Sequence, residues 1–383
     1  MEGRKRTVES VGKMKKIFND VYRGKKVLVT GHTGFKGSWL SLWLTSLGAD
    51  VTGISAYLPS SPCNFEVLGL DKKMKNYKND IRELGKIQKI FDKTKPEIVF
   101  HLAAQAIVKN AHEFPKNTFD TNIGGTTNIL ECIRNTSSIK AAVIITSDKC
   151  YQNLEWPWGY RETDRLGGDD PYSASKACAE IVCNAYIKSY FSKRAKKYFP
   201  RISTTRAGNV IGGGDWAKDR IIPDCIRALA IGREINIRNP KATRPWQHVF
   251  EPLSGYLWVG ASLLESDTYH GHAFNFGPDA KVNQSVKELI NLIIELWGKG
   301  SWKKENDAKI IKENILLKLC CDKALHYLKW HSILSFYDSV RMTAEWYKSY
   351  YDGKVDMYQF SLSQISYFIA EAENQNLNWT SGG

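Results

Sequence analysis

The chain has 383 residues, 43% hydrophobic and 12% aromatic, and a formal net charge of +14. That is enough apolar material for a substantial core, in one large α/β unit or two lobes. No run approaches the roughly 20 uninterrupted apolar residues that span a bilayer, and the charged N-terminus lacks the apolar stretch of a secretory signal, so a cytoplasmic location away from membranes is expected.

Part of the charge is local. Residues 1–16, "MEGRKRTVESVGKMKK", hold six Lys/Arg against two Glu, +4 of the +14. The remaining Lys are scattered, as in "DKKMKNYK", without the basic face or aromatic interleaving of a nucleic-acid reader. No nucleic-acid partner is expected, and a cationic cleft for a phosphorylated small molecule accounts for the excess equally well. The eight Cys are dispersed, with no CxxC pair and no Cys/His spacing, which reads as reduced thiols and no metal site.

After a basic extension over 1–24, short β-rich runs alternate with helical patterns. "KVLVT" (26–30) predicts a strand, "SWLSLWLTSLG" (38–48) a helix stopped by Gly48, and "DVTGIS" (50–55) the next strand. Further strands are expected at 97–104, 141–147 and 201–210, with helices at 122–134 and 171–191. This alternation predicts a Rossmann-like doubly wound parallel sheet over 25–209, rejoined by 245–277. From about Gly212 the rhythm breaks into Gly/Pro-rich loops and then mainly helical sequence. Residues 210–383 therefore read as a smaller, mainly α substrate-binding lobe.

"VLVTGHTGFKGSWL" sets Gly31, Gly34 and Gly37 between the first strand and first helix. A tight turn, a close backbone approach to pyrophosphate and helix-against-strand packing each call for a glycine, and the helix N-terminus adds positive charge. Strand before and helix after match the context this motif needs. The second strand ends "GISAYLP", with no acid to grip a ribose. Ser55 stands there instead, and no Arg follows for a 2′-phosphate, which favours NAD over NADP.

"YSASK" puts Tyr172 and Lys176 one helical turn apart on one face. An ammonium beside a phenol stabilises the phenolate, so Tyr172 can take a hydroxyl proton while hydride leaves the same carbon for nicotinamide. The same spacing occurs at Tyr22/Lys26 and Tyr350/Lys354, each broken by Gly and without this context. "HLAAQ" closes the fourth strand with Leu102, Ala103 and Ala104, small enough for a dinucleotide to lie against the backbone. Ser147 ends the fifth strand, where a hydroxyl can bond a substrate hydroxyl. Asn122 opens the next helix, either organising the site or serving as an N-cap.

The stretches "GKKVLVTGHTGFKGSWLSLWL", "TSDKCY", "GGDDPYSASK", "RAGNVIGGGDWAKDRIIPD" and "RPWQHVFEPLSGYL" resemble the CDP-glucose 4,6-dehydratases, a family of extended short-chain dehydrogenase/reductases acting on nucleotide sugars. The resemblance covers roughly 22–350. It implies a redox-neutral lyase reaction of deoxysugar and polysaccharide biosynthesis, in which hydride leaves C4 of CDP-glucose for bound NAD and returns to C6 after water is lost. It adds Thr33, Phe35, Asp80 and Ile81 to the cofactor contacts, and Gln105, Asn209, Arg220 and Arg244 to those of the substrate. It assigns Asp148 the proton given to the leaving hydroxyl and Lys149 the C5 proton, where related dehydratases carry Asp-Glu. Without the resemblance, Asp80 reads equally as a turn residue, and Asp148 with Lys149 as an exposed ion pair at a strand end. A homodimer or dimer of dimers is a further expectation.

The rivals are a 4-epimerase or a dehydratase of another nucleotide sugar, and a polyanion-binding protein on an inactive reductase fold. An epimerase needs no acid and base at C5 and C6, so "SDK" argues against it. The intact Tyr172/Lys176 pair argues against the second.

Overall fold

The computed structural model describes residues 16–192, 199–279, 281–305 and 316–381. Residues 1–15 of the basic extension lie outside the described residues. The β-branched runs form β1 (Lys26–Thr30), β2 (Asp50–Ser55), β4 (Ile98–His101), β5 (Ala141–Ile145) and β6 (Arg201–Ala207), and the polar segment Lys75–Lys78 forms the edge strand β3. With Ala273–Phe276 they make one seven-stranded sheet, in the order Ala273–Phe276, β6, β5, β4, β1, β2, β3. Every pairing in it is parallel.

A parallel sheet needs cover on both faces, and β5 shows how the sequence provides for it. Ala141, Val143 and Ile145 join the core beneath the helices Phe35–Ser46 and Phe250–Glu265. Ala142 and Ile144 join the core beneath Leu84–Thr94, Gly125–Asn135 and Pro171–Tyr190. Chain order reverses between β1 and β4, so a crevice opens beyond their carboxyl ends.

The C-terminal helices Phe336–Asp352 and Met357–Asn374 are not detached from this unit. Trp43 of the first long helix meets Phe368 edge-on at 5.9 Å, and Trp39 meets Trp346 at 6.4 Å. Aromatic packing thus fixes the C-terminal part to the face that carries the glycine turn.

The sequence reading and the structure part company at element ends. The first helix begins at Phe35, three residues before the expected start, because Gly34 caps it and the glycine turn runs straight into helical geometry. β4 stops at His101 and β5 at Ile145, so Leu102–Ala104 and Thr146–Ser147 lie at the strand exits, past the last paired residues. The helix expected from Asn122 starts at Gly125, behind a wide i→i+5 turn over Asp120–Gly124 that contains Asn122. Such turns recur at functional sites.

Candidate active site

The glycine turn fits a pyrophosphate in detail. Gly31 has φ +74°, and a Cβ there would stand 2.8 Å from the Ala103 nitrogen, so only glycine lets the turn lie on the β4 exit. A Cβ on Gly37 would stand 2.1 Å from the Gly31 carbonyl oxygen, so the helix and turn are in contact. Gly34 caps the helix without a side-chain bond, which leaves the first-turn amides available to an anion. The residues present therefore fit the dinucleotide that the motif implies.

At the end of β2 the absent acid is replaced by a relay that the sequence did not reveal. The Thr33 amide donates to Ser55 Oγ at 3.3 Å, Ser55 Oγ lies 3.0 Å from His32 Nδ1, and His32 Nε2 lies 2.8 Å from Asn76 Oδ1. Asn76 Oδ1 only accepts, which puts the ring proton on Nε2 and makes the Ser55 hydroxyl a donor to Nδ1. Ser55 can then only accept from a ribose hydroxyl. Burial pulls His32 below the ordinary imidazole range and keeps the ring neutral. Asp80 instead turns back on its own loop. It accepts from the Arg82 amide at 2.9 Å and from its guanidinium at 2.6–3.0 Å, and that guanidinium holds the carboxyl below its usual range. Ile81 packs against Gly125.

Asp170 sets the helix that carries Tyr172 and Lys176. Its carboxylate caps Pro171–Tyr190 by accepting the amides of Tyr172 at 2.9 Å and Ser173 at 3.0 Å. Tyr172 and Lys176 are both buried one turn later. Burial pushes the Tyr172 phenol up to about 12, with the Ser147 hydrogen bond working the other way. Burial also brings the Lys176 ammonium down to about 8, which leaves it charged near neutral pH.

Ser147 caps a short turn over Asp148–Cys150. Its hydroxyl accepts the Lys149 amide at 3.2 Å and donates to Asp148 Oδ1 at 2.9 Å. Asp148 is buried, not an exposed strand-end acid. Burial raises its carboxyl, opposed by the charges of Lys149 and Lys36 and by the Ser147 bond. Lys149 is half-buried beside it.

Two groups that the sequence reading passed over, buried Glu180 and half-buried Lys36, bear on this corner. Glu180, two turns after Tyr172, accepts from Thr146 Oγ1 at 2.5 Å, from Thr204 Oγ1 at 2.8 Å and twice from Arg206 at 2.9 Å. The pair ties the Tyr172/Lys176 helix to the ends of β5 and β6. Lys36, inside the glycine motif, lies 5.9 Å from the Tyr256 ring, and burial lowers it to about 8 while Asp148 favours its charge. A lysine within a phosphate loop was the available signal for Lys36. Nothing short of the fold signals the Glu180–Arg206 pair.

The remaining expected contacts are distributed. Asn122 gives its whole amide to the scaffold, accepting the Gln105 amide at 2.7 Å and donating to Gln105 O at 3.0 Å and Ser175 Oγ at 2.8 Å. It braces the β4 exit against the Tyr172/Lys176 helix. Gln105 is likewise bonded to Ile107 and Thr118. Arg220 donates to Asp215 Oδ2 at 2.9 Å, and its charge reaches Tyr172. Arg244 lies on the short strand Thr243–Arg244 and donates to Thr243 O at 2.8 Å, while the Asn209 carbonyl accepts from the Gln247 amide at 3.4 Å.

Sheet order, glycine turn and the buried Tyr172/Lys176 helix define a dinucleotide-dependent enzyme of the Rossmann class. A family profile described as GDP-mannose 4,6 dehydratase matches residues 28–343, and the chain belongs to that family. It is 43% identical to the CDP-glucose 4,6-dehydratase of Salmonella typhimurium over 92% of this chain and 99% of that one. It is 29% identical to the dTDP-D-glucose 4,6-dehydratase of Dictyostelium discoideum over 70% of this chain and 62% of that one. Among solved structures, a dTDP-glucose 4,6-dehydratase from Streptomyces venezuelae with NAD bound superposes with a TM-score of 0.72 at 22% identity, covering 87% of this chain and 99% of that one. A UDP-glucose 4-epimerase of Thermus thermophilus in complex with NAD gives 0.72 at 22%, over 86% and 100%. The two structural likenesses carry the fold.

Proposed function

We propose that the chain is an NAD-dependent CDP-glucose 4,6-dehydratase, converting CDP-glucose to CDP-4-keto-6-deoxyglucose and water. The observation that carries this reading is the buried Ser147–Asp148–Lys149 corner beside Tyr172, in a chain 43% identical to a CDP-glucose 4,6-dehydratase along nearly its whole length. An epimerase has no use for a second acid and base there.

Gly31, Thr33, Gly34, Phe35 and Gly37 would hold the pyrophosphate, Ser55, Asp80 and Ile81 the adenosine, and Leu102–Ala104 with Lys176 the nicotinamide half. Bound NAD supplies the reversible hydride acceptor that the reaction needs. Tyr172, as the phenolate that the Ser147 bond and the Arg220 charge favour, takes the C4 hydroxyl proton, and the Ser147 hydroxyl holds the same oxygen. Lys149 removes the C5 proton, which the 4-ketone has made acidic, and later returns a proton to C5. Asp148 gives its proton to O6 as the C6–O bond breaks, and water leaves. The burial that raises Asp148 suits it to the acid's part, since an acid must be protonated at the working pH.

Asn209, Arg220 and Arg244 would hold the nucleoside diphosphate, Arg being suited to paired phosphate contacts. Asn122 and Gln105 serve this site by bracing rather than by touching the sugar. The same reading takes 25–209 with 245–277 as the cofactor unit, 210–383 as the nucleotide-sugar lobe, and a homodimer or dimer of dimers as the assembly. Among the described residues no helix is long and apolar enough to cross a membrane. Incubation with CDP-glucose and mass analysis of the product tests the reading, with loss of one water from the sugar expected.

A further inference from the structure

Beside Asp148 lies a cavity of about 10 Å³, room for roughly one water. Asp148, Gly208, Pro245 and Gln247 line it, closed by Leu317 and Leu319. Gly208 is what allows the approach, since a Cβ there would stand 3.1 Å from Asp148 Oδ2. The wall carrying Leu317 and Leu319 is held by backbone bonds, from the Tyr160 amide to Lys318 O and from the Cys320 amide to Tyr160 O, both at 2.9 Å.

Gln247 is the unusual member. It is 1% exposed, and its strand Gln247–His248 pairs with Val210–Ile211. Its Nε2 donates to the Phe276 carbonyl at 3.1 Å, which fixes the orientation of the amide. Its Oε1 is buried with no protein partner. A buried acceptor of this kind is costly unless a donor meets it. The other residues lining the cavity are two glycines, two prolines, two leucines and Asp148, whose carboxyl is the one side chain among them that can donate a proton.

We infer that this cavity is the leaving-water subsite of the dehydration, and that Gln247 is the residue that receives the C6 hydroxyl. The inference rests on the dehydratase reading above. The ligand is a primary hydroxyl on a hexose, which becomes a water molecule. O6 would sit between the two side chains, donating its own hydrogen to Gln247 Oε1. Asp148 gives its proton to O6, the C6–O electron pair goes to oxygen, and the product is one water held by an acceptor on one side and the new Asp148 carboxylate on the other. A water donating to both satisfies the two acceptors, so the pocket favours the departed state over the bound hydroxyl. That is stabilisation realised as the bond breaks, which speeds the step.

Two measurements test this. The first needs no variant: binding of CDP-glucose and CDP-6-deoxyglucose to the whole wild-type protein. The 6-deoxy sugar leaves Gln247 Oε1 unpaired, and its Kd is expected to be roughly 5- to 50-fold weaker. Equal affinities would overturn the inference. The second compares wild type with Gln247→Met, of similar volume. Turnover of CDP-glucose is expected to fall roughly 10- to 100-fold, while reduction of the bound cofactor by CDP-6-deoxyglucose, followed by its near-ultraviolet absorbance, keeps the wild-type rate. Equal loss in both assays would show a packing role and overturn the inference, as would full turnover of CDP-glucose. If wild type gives no 4-keto-6-deoxy sugar from CDP-glucose, the functional reading itself has failed, which is a different outcome.

Discussion

Ser147 Oγ donates to Asp148 Oδ1 at 2.9 Å while accepting the amide of Lys149, so one hydroxyl touches both residues of the proposed acid–base pair. The same hydroxyl works to lower the Tyr172 phenol against the effect of burial. In the proposed reaction, the residue that serves the oxidation half therefore also orients the group for the elimination half. Removing Asp148 should separate the two. In Asp148→Asn the proton donor to O6 is lost, and dehydration is expected to fall roughly 10²- to 10⁴-fold. Oxidation at C4 should continue, and a 4-keto sugar that keeps its C6 hydroxyl should accumulate. Product analysis by NMR checks this, and loss of oxidation to the same degree would count against the division of labour.

Lys36 bears on the same carboxyl through charge. Its ammonium favours the ionised Asp148, and an acid must be protonated to act. Removing that charge in Lys36→Met raises the carboxyl further. The limb on which kcat falls with rising pH should then move to higher pH, by roughly 0.5–1 pH unit. Lys36 itself loses its proton at about 8, so the two profiles should converge above that pH. A limb that stays put or moves to lower pH would refute the coupling.

Glu180 and Arg206 form a buried, doubly hydrogen-bonded pair between the Tyr172/Lys176 helix and β6. Glu180→Gln leaves a guanidinium buried without its counter-charge, at a cost of about 3–5 kcal/mol. Urea unfolding measures it. Thr146 also loses the charged partner that holds the end of β5, so kcat should drop with stability. A cost below about 1 kcal/mol would mean that the pair is not what fixes the corner.

Gly31→Ala tests the cradle. At φ +74° an Ala is strained, and its Cβ meets the β4 exit, so a penalty of roughly 1–3 kcal/mol is expected together with weakened NAD binding. Gly24→Ala is the control, because φ is +69° there but nothing lies within 4 Å of the added carbon. NAD titration should separate the two, the control binding as wild type does.

What was legible in the sequence follows from the range of each interaction. β1 and β2 match their expected bounds residue for residue, because strand identity here rests on local apolar runs. The Tyr172/Lys176 pair was legible because both lie on one helix. Strand and helix ends were less so, since they depend on where sheet pairing and capping stop. His32, Gln247 and the Glu180–Arg206 pair were invisible, because each has meaning only through partners tens of residues away. Asn122 illustrates the same limit. Its place near the site could be anticipated, but not that its whole amide would be spent on Gln105 and Ser175.

Incubation of the protein in deuterated water with CDP-, dTDP-, UDP- and GDP-glucose is the most direct measurement of the central claim. CDP-glucose should give a 4-keto-6-deoxy product carrying one solvent deuteron at C5, placed there by Lys149. Turnover confined to another nucleotide, or a product that keeps its C6 hydroxyl, would contradict it.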